Sequence, residues 1–165
     1  MRCDVNGVAV DSFTMRAHIG LGSNVGDRAL SLMRARRLVT LASSDPTRVR
    51  ASAIYESEPV GGLSQPPFLN AVLTIETALA PDAILDWLLR VEQTLGRVRD
   101  GSQGPRLIDL DLLALENTVL NSERLVLPHP EIASRRFVLE PLCEVAPDWI
   151  HPVLQKTVVE LLDAL

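Results

Sequence analysis

Lysine is nearly missing from this chain: Lys156 stands alone, so almost all positive charge is guanidinium. Basic charge as a whole is in deficit, with a net charge of −5. That excludes nonspecific nucleic-acid binding, which needs a basic surface to displace counterions. The arginines therefore act locally. The two cysteines, Cys3 and Cys143, are too few for a disulfide framework and lack metal-ligand spacing, so a reducing cytoplasm is the expected location. No apolar run approaches the ~20 residues that span a bilayer, and the amino terminus lacks the apolar core of a secretory signal. A soluble protein with no membrane partner is expected. Aromatic residues make up only 4% of the chain, so each of the three phenylalanines carries information.

What is present fits one domain. The 165 residues are enough to bury a sizeable core and too few for two. Residues 1–14 share no periodicity with the rest of the chain, and Met15 precedes the first convincing strand. They are expected to form a poorly ordered extension, leaving 15–165 as a single domain. Ala17–Leu21 reads as a strand, and the Gly-Ser-Asn turn after it leads to a helix over 27–42 with Asn24 or Asp27 as cap. Gly20-x-Gly22 is not a dinucleotide fingerprint, because Gly26 comes one position late and no acidic ribose partner stands on the next strand. A strand-to-helix turn requiring small residues explains it better.

Residues 48–55 and 68–77 read as two further strands, separated by a long Gly/Pro/Ser/Gln-rich loop of the kind that serves as a lid or binding segment. Pro81 opens a second helix, with Ile84, Leu88, Val91 and Leu95 at helical spacing and Gly96 as its stop. A strand at 109, a hairpin at Glu116-Asn117 and short helices complete the chain. The order strand, helix, two strands, helix, strand predicts an α+β, ferredoxin-like fold: a mainly antiparallel sheet with helices on one face, plus a C-terminal hairpin and short helices.

Gly104-Pro-Arg-Leu-Ile-Asp-Leu-Asp-Leu112 is the stretch with chemistry in it. On a strand, Asp109 and Asp111 project from one face roughly 6.5 to 7 Å apart, while Ile108, Leu110 and Leu112 point into a core. At that spacing two carboxylates repel by about 2 kcal/mol at an effective dielectric of ~20, a cost that a divalent cation would turn into a binding site. Alternation of polar and apolar residues is also what a half-exposed strand looks like. Arg97, Arg99 and Arg106 just upstream tilt the balance, since guanidinium forks suit phosphate. Acids for a hard metal beside arginines for phosphate point to metal-assisted phosphoryl transfer.

Six segments, in order, resemble one family. They are Gly20-Leu-Gly-Ser-Asn24, Tyr55-Glu-Ser-Glu-Pro-Val-Gly61, Phe68-Leu-Asn70, Gly96-Arg-Val-Arg99, Gly104-Pro-Arg-Leu-Ile-Asp-Leu-Asp111, and Leu127-Pro-His129 with Arg135-Arg-Phe137. From about Ala17 to the carboxyl end the chain is similar to 6-hydroxymethyl-7,8-dihydropterin pyrophosphokinases of folate biosynthesis. The resemblance implies transfer of the β,γ-pyrophosphoryl group of ATP to the pterin hydroxymethyl oxygen, giving AMP and the pterin diphosphate, by a monomer. It implies that Asp109 and Asp111 hold two magnesium ions and that Arg97 and Arg106 assist catalysis. Arg99, Leu112, Arg124, His129 and Arg135 then belong to the ATP site. Phe68 and Phe137 would sandwich the pterin, with Asn70 reading its polar edge beside Ser57 and Val60.

The chain departs from some members at Gln103, where they carry tryptophan in a loop one residue longer, at Phe68, where they carry tyrosine, and at Pro130 after the histidine. Those departures touch loop closure and stacking. Glu92 reads most economically as a surface helix glutamate, and His18 and His151 as ordinary loop residues. A noncatalytic nucleotide- or pterin-binding module of the same fold is the competing reading; the paired acids argue against it, since a pterin alone would not require them. A ferredoxin-like RNA binder is disfavoured by the acidic balance and the lack of aromatic RNA-recognition motifs.

Overall fold

The computed structural model describes residues 14–59, 64–97 and 104–165. β1 (Met15–Ser23) alternates strictly at its centre, sending Ala17, Ile19 and Leu21 into the core. α1 (Arg28–Thr40) begins where Asp27 accepts the Leu30 N–H at 3.0 Å, and it buries Leu32, Ala35 and Val39. β4 (Phe68–Thr77) pairs with every residue of β1, from Met15 opposite Thr77 to Ser23 opposite Leu69. α2 (Pro81–Thr94) has proline at its first position, where no N–H is needed, and buries Ile84, Leu88 and Val91. β5 (Asp109–Leu115) lies on the other side of β1, with Gly22 opposite Asp109 and a register shift between His18 and Ile19.

β2 (Arg50–Ala51) and β3 (Tyr55–Ser57) both pair with β4, which gives an antiparallel sheet in the order β2-β4-β1-β5. That is the expected ferredoxin-like arrangement. β6 (Leu120–Asn121) and β7 (Val126–Leu127) form a separate ribbon, and α3 (Arg136–Val145) and α4 (Val158–Asp163) end the chain. None of these helices is long and apolar enough to cross a membrane.

The sheet is covered on both faces, not one. α1 and α2 enclose the larger core with Ile19, Ile75, Leu110 and Leu112. α3 and α4 build a second core over Val72, Leu113 and Ala114. The reason is visible in β4 and β5, whose second faces also carry apolar residues that must be buried.

The strand expected over 48–55 is broken. Asp45 caps a 3-10 turn at Pro46–Arg48 through the Thr47 N–H at 2.9 Å. The Ser52 hydroxyl then accepts the Val72 N–H at 2.9 Å, and the Ala53 N–H leaves the sheet for Glu144 of α3 at 2.7 Å. Nor does a hairpin form at Glu116-Asn117. A turn is there, with Glu116 at φ 45°, but the Glu116 N–H donates to the Arg16 carbonyl and its carboxylate accepts the Arg16 N–H, tying the end of β5 to β1. The hairpin comes later, where Ser122 and Leu125 join β6 to β7. His18 is not a loop residue, since it lies within β1, whereas His151 does lie in a loop; both are buried, flanking Trp149.

Candidate active site

The first residues of β5 form one wall of a cavity of about 490 Å³. Asp109 and Asp111 line it together with Leu113, while Ile108, Leu110 and Leu112 are buried in the larger core on the other side, as alternation requires. Across the floor runs β1, bare at Gly20 and Gly22. A Cβ on Gly22 would stand 3.6 Å from Asn70 Oδ1 and 3.8 Å from both Asp109 and Phe68. These two glycines therefore sit inside the strand and keep the floor open. The turn residue is Gly26, at φ +67°.

Arg97 is delivered by the way α2 ends. Gly96, at φ +93°, follows the last turn; its N–H donates to the Gln93 carbonyl and the Arg97 N–H reaches back to the Glu92 carbonyl, both at 3.0 Å. That reversal lays Arg97 over Glu92 and toward β5. Its Nη1 bonds both the Glu92 and Asp109 carboxylates, and Arg106 Nη1 bonds the other oxygen of Asp109. Burial works against the Arg97 charge, but Asp109 and Glu92 outweigh it and hold the guanidinium protonated. Glu92 is 1% exposed, so the surface reading of it is wrong; its Oε1 also accepts the Leu110 N–H at 2.8 Å.

Asp111 differs from Asp109. No hydrogen bond or ion pair within 4 Å reaches its carboxylate among the described residues, and burial, reinforced by the charges of Asp109 and Glu92, pushes its carboxyl up to about 6. A desolvated acid with no partner, beside a second acid, is suited to a divalent cation, which would supply the missing countercharge. No group of three or more acids, histidines or cysteines gathers for a metal among the described residues. Two carboxylates suit magnesium, which keeps waters and takes further oxygens from phosphate.

The cavity also brings together Ser57, Phe68, Asn70, His129, Arg135 and Phe137. Asn70 Nδ2 donates to the Ser57 hydroxyl at 2.8 Å, which fixes the amide at the strand edge. The Arg135 guanidinium lies 5.6 Å from the centre of the Phe137 ring and pairs with Glu131. His129 is held where its own N–H meets the Leu113 carbonyl at 2.8 Å and its Nδ1 accepts the Glu131 N–H at 3.2 Å. Burial, then Arg135, lowers its pKa, so the ring is neutral at pH 7.

Two of the expected residues lie elsewhere. The Leu112 side chain is in the larger core, and Arg124 is on the outside of α2, bonded to Asp86 at 2.6 Å and near Asp82. Val60, Arg99 and Gln103 lie outside the described residues. Asn24 is more than a turn residue. Its Oδ1 accepts the Arg106 N–H at 2.7 Å, and its Nδ2 donates to Gln65 Oε1 and the Pro66 carbonyl, both at 3.2 Å. Nothing in the spacing of Asn24, Gln65 and Glu92 announced these contacts; a polar residue in an otherwise apolar stripe, as Glu92 is beside Leu88 and Val91, is the nearest thing to a signal.

Residues 18–147 match the family described as 7,8-dihydro-6-hydroxymethylpterin-pyrophosphokinase (HPPK). A 2-amino-4-hydroxy-6-hydroxymethyldihydropteridine pyrophosphokinase of Methylorubrum extorquens is 48% identical over 136 residues, covering 82% of this chain and 85% of that protein. The protein of the same name from Haemophilus influenzae is 40% identical over 136 residues, covering 82% and 84%. Among solved structures, a Plasmodium falciparum HPPK-DHPS triple mutant with SDX-DHP superposes with a TM-score of 0.72 at 16% identity, covering 94% of this chain and 45% of that one. The chain thus spans less than half of that larger protein, and the superposition speaks to the fold.

Proposed function

This chain belongs to the 7,8-dihydro-6-hydroxymethylpterin-pyrophosphokinase family of folate-biosynthesis enzymes, and from that premise we propose how its residues divide the work. The reaction moves the β,γ-pyrophosphoryl group of ATP to the hydroxymethyl oxygen of the pterin. A bond forms from that oxygen to the β-phosphorus, the α,β-bridging bond breaks, and AMP leaves.

The observation that carries this reading is one cavity holding an acid with no ion pair among the described residues, a second acid clasped by two arginines, and a separate aromatic and amide corner. Asp109 and Asp111 would hold magnesium, two ions in our reading, and when bound these neutralise charge on the phosphates. Arg97 and Arg106 stand at the acids and donate N–H groups to phosphate oxygens, with Arg135 across the cavity adding a third cation. Phe68 and Phe137 take the flat pterin between them, and Asn70, its amide fixed by Ser57, reads the polar edge. Neutral His129 offers a hydrogen bond to the nucleotide. Val60, Arg99 and Arg124 complete the sites by family resemblance, as does Leu112 through its backbone. Alignment and fixed charge are the main contributions that a protein makes to phosphoryl transfer.

The test is to incubate the protein, as a single chain in solution, with ATP, magnesium and 6-hydroxymethyl-7,8-dihydropterin and to follow nucleotide products. AMP in step with pterin diphosphate is expected. ADP would indicate an ordinary kinase, and binding of the pterin without any nucleotide product would leave a noncatalytic binding module.

A further inference from the structure

Glu92 is a fully buried carboxylate on α2 that is not among the residues lining the cavity, and the proposed reaction assigns it no step. Burying an acid is expensive unless its partners compensate. Two of its partners bear on the site. One is the Leu110 N–H, at 2.8 Å, in the residue between the two catalytic aspartates. The other is Arg97, bonded through the same nitrogen that bonds Asp109. β5 is an edge strand, so the Leu110 bond joins α2 to the strand at the point where both acids emerge.

We propose that Glu92 is a positioning residue for pyrophosphoryl transfer, the permanent anchor that keeps Arg97 in the site once Asp109 exchanges its guanidinium partners for a cation. Two positive groups compete for one oxygen. Arg97 bonds Asp109 Oδ1, and a cation taken by that carboxylate displaces it. A guanidinium left with no anion would swing toward water. Glu92 prevents this, because a carboxylate buried to 1% exposure loses much of its compensation if Arg97 departs, and so holds the guanidinium in place. The helix ending reinforces the hold, since the Arg97 N–H is already tied to the Glu92 carbonyl. Arg97 then keeps its remaining N–H groups aimed at the phosphates.

This deepens the pyrophosphokinase reading and rests on it, so AMP formation by the unaltered protein is the control; its absence would fail that reading and not this one. The decisive variant is Glu92→Gln, which keeps an acceptor for Leu110 and removes the charge that holds Arg97. Turnover is counted per pterin-binding site, titrated by calorimetry without nucleotide. We expect kcat to fall at least about tenfold, with pterin Kd and melting temperature in the absence of ligands little changed. In an Arg97→Ala background the same substitution should cost less than about a further twofold, because the residue it acts through is gone. Glu92→Gln turning over like the unaltered protein would overturn the proposal. So would effects of Glu92→Gln and Arg97→Ala that multiply independently, or a Glu92→Gln protein that yields no pterin-binding sites, which would make the role one of folding alone.

Discussion

At the scale of single residues, Asp109 and Asp111 are chemically alike and physically opposite. Asp109 is neutralised twice over by Arg97 and Arg106, while Asp111 has no such partner among the described residues. Replacing either with Asn should reduce turnover about a hundredfold or more, the usual scale for losing a group that manages charge in a transition state. Stability in the absence of ligands should move in opposite directions. The folded-state pKa of Asp111 is raised to about 6 from an ordinary 3.8, so the folded protein holds this proton longer than the unfolded chain. The stability that comes from it is present below 3.8 and lost as pH rises through about 6. Asp111→Asn should therefore stabilise the protein at pH 7 by on the order of 1–3 kcal/mol, a gap that closes toward pH 4. Asp109→Asn should destabilise it by a similar amount, because it leaves two partly buried guanidiniums short of a carboxylate. Denaturant melts of both variants at pH 7 and pH 4.5 check the pair of signs.

At the scale of elements, the sequence was most readable where one residue type does one job. Pro81 and Gly96 bounded α2, the run over 68–77, with Leu73 and Ile75 set against Val72 and Thr74, marked β4, and Asp-x-Asp on an apolar strand pointed to the reactive edge. It was least readable where a side chain substitutes for backbone. The Ser52 hydroxyl and the Glu144 carboxylate take hydrogen bonds that a continuous strand would have made, and Arg16 holds Glu116 so that the chain does not double back there. Asn24 and Glu92 were missed for the same reason: each joins segments distant in the chain, Asn24 to Arg106 and Glu92 to Leu110, and such pairings have no local pattern. Gly96 is where element and site meet. At φ +93° an alanine is strained by about 1–2 kcal/mol. Gly96→Ala should lower stability by that much and reduce kcat as well, since relaxing the turn moves Arg97. A stability loss with kcat unchanged would show that Arg97 tolerates the shift.

At the scale of the whole molecule, two cores share one sheet, and His18 lies on the face of β1 that meets Trp149 of the second core. It bonds the Thr74 hydroxyl at 2.9 Å and meets Trp149 edge-on, with ring centres 5.6 Å apart. Burial, then Arg16, lowers its pKa to about 4 from 6.5. The unfolded chain thus takes up a proton first as pH falls, so the stability from the neutral ring is fully present above 6.5 and is lost on the way down to 4. That loss should amount to about 2–3 kcal/mol. A His18→Gln variant should show a flatter fall in melting temperature between pH 7 and pH 4.5; an equally steep fall would place the sensitivity elsewhere.

The double clasp on Asp109 bears on how the enzyme meets its reactants. A cation arriving alone finds Asp111 but has to displace Arg97 and Arg106 from Asp109, and although Arg97 keeps Glu92, Arg106 then has no phosphate to go to. A nucleotide arriving alone brings its negative charge up against an acid still lacking an ion. Only when both arrive does every charge find an opposite, so the pocket behaves as a coincidence detector. Calorimetric titrations should record faint heats for magnesium or ATP added singly and a tight association for the two supplied together.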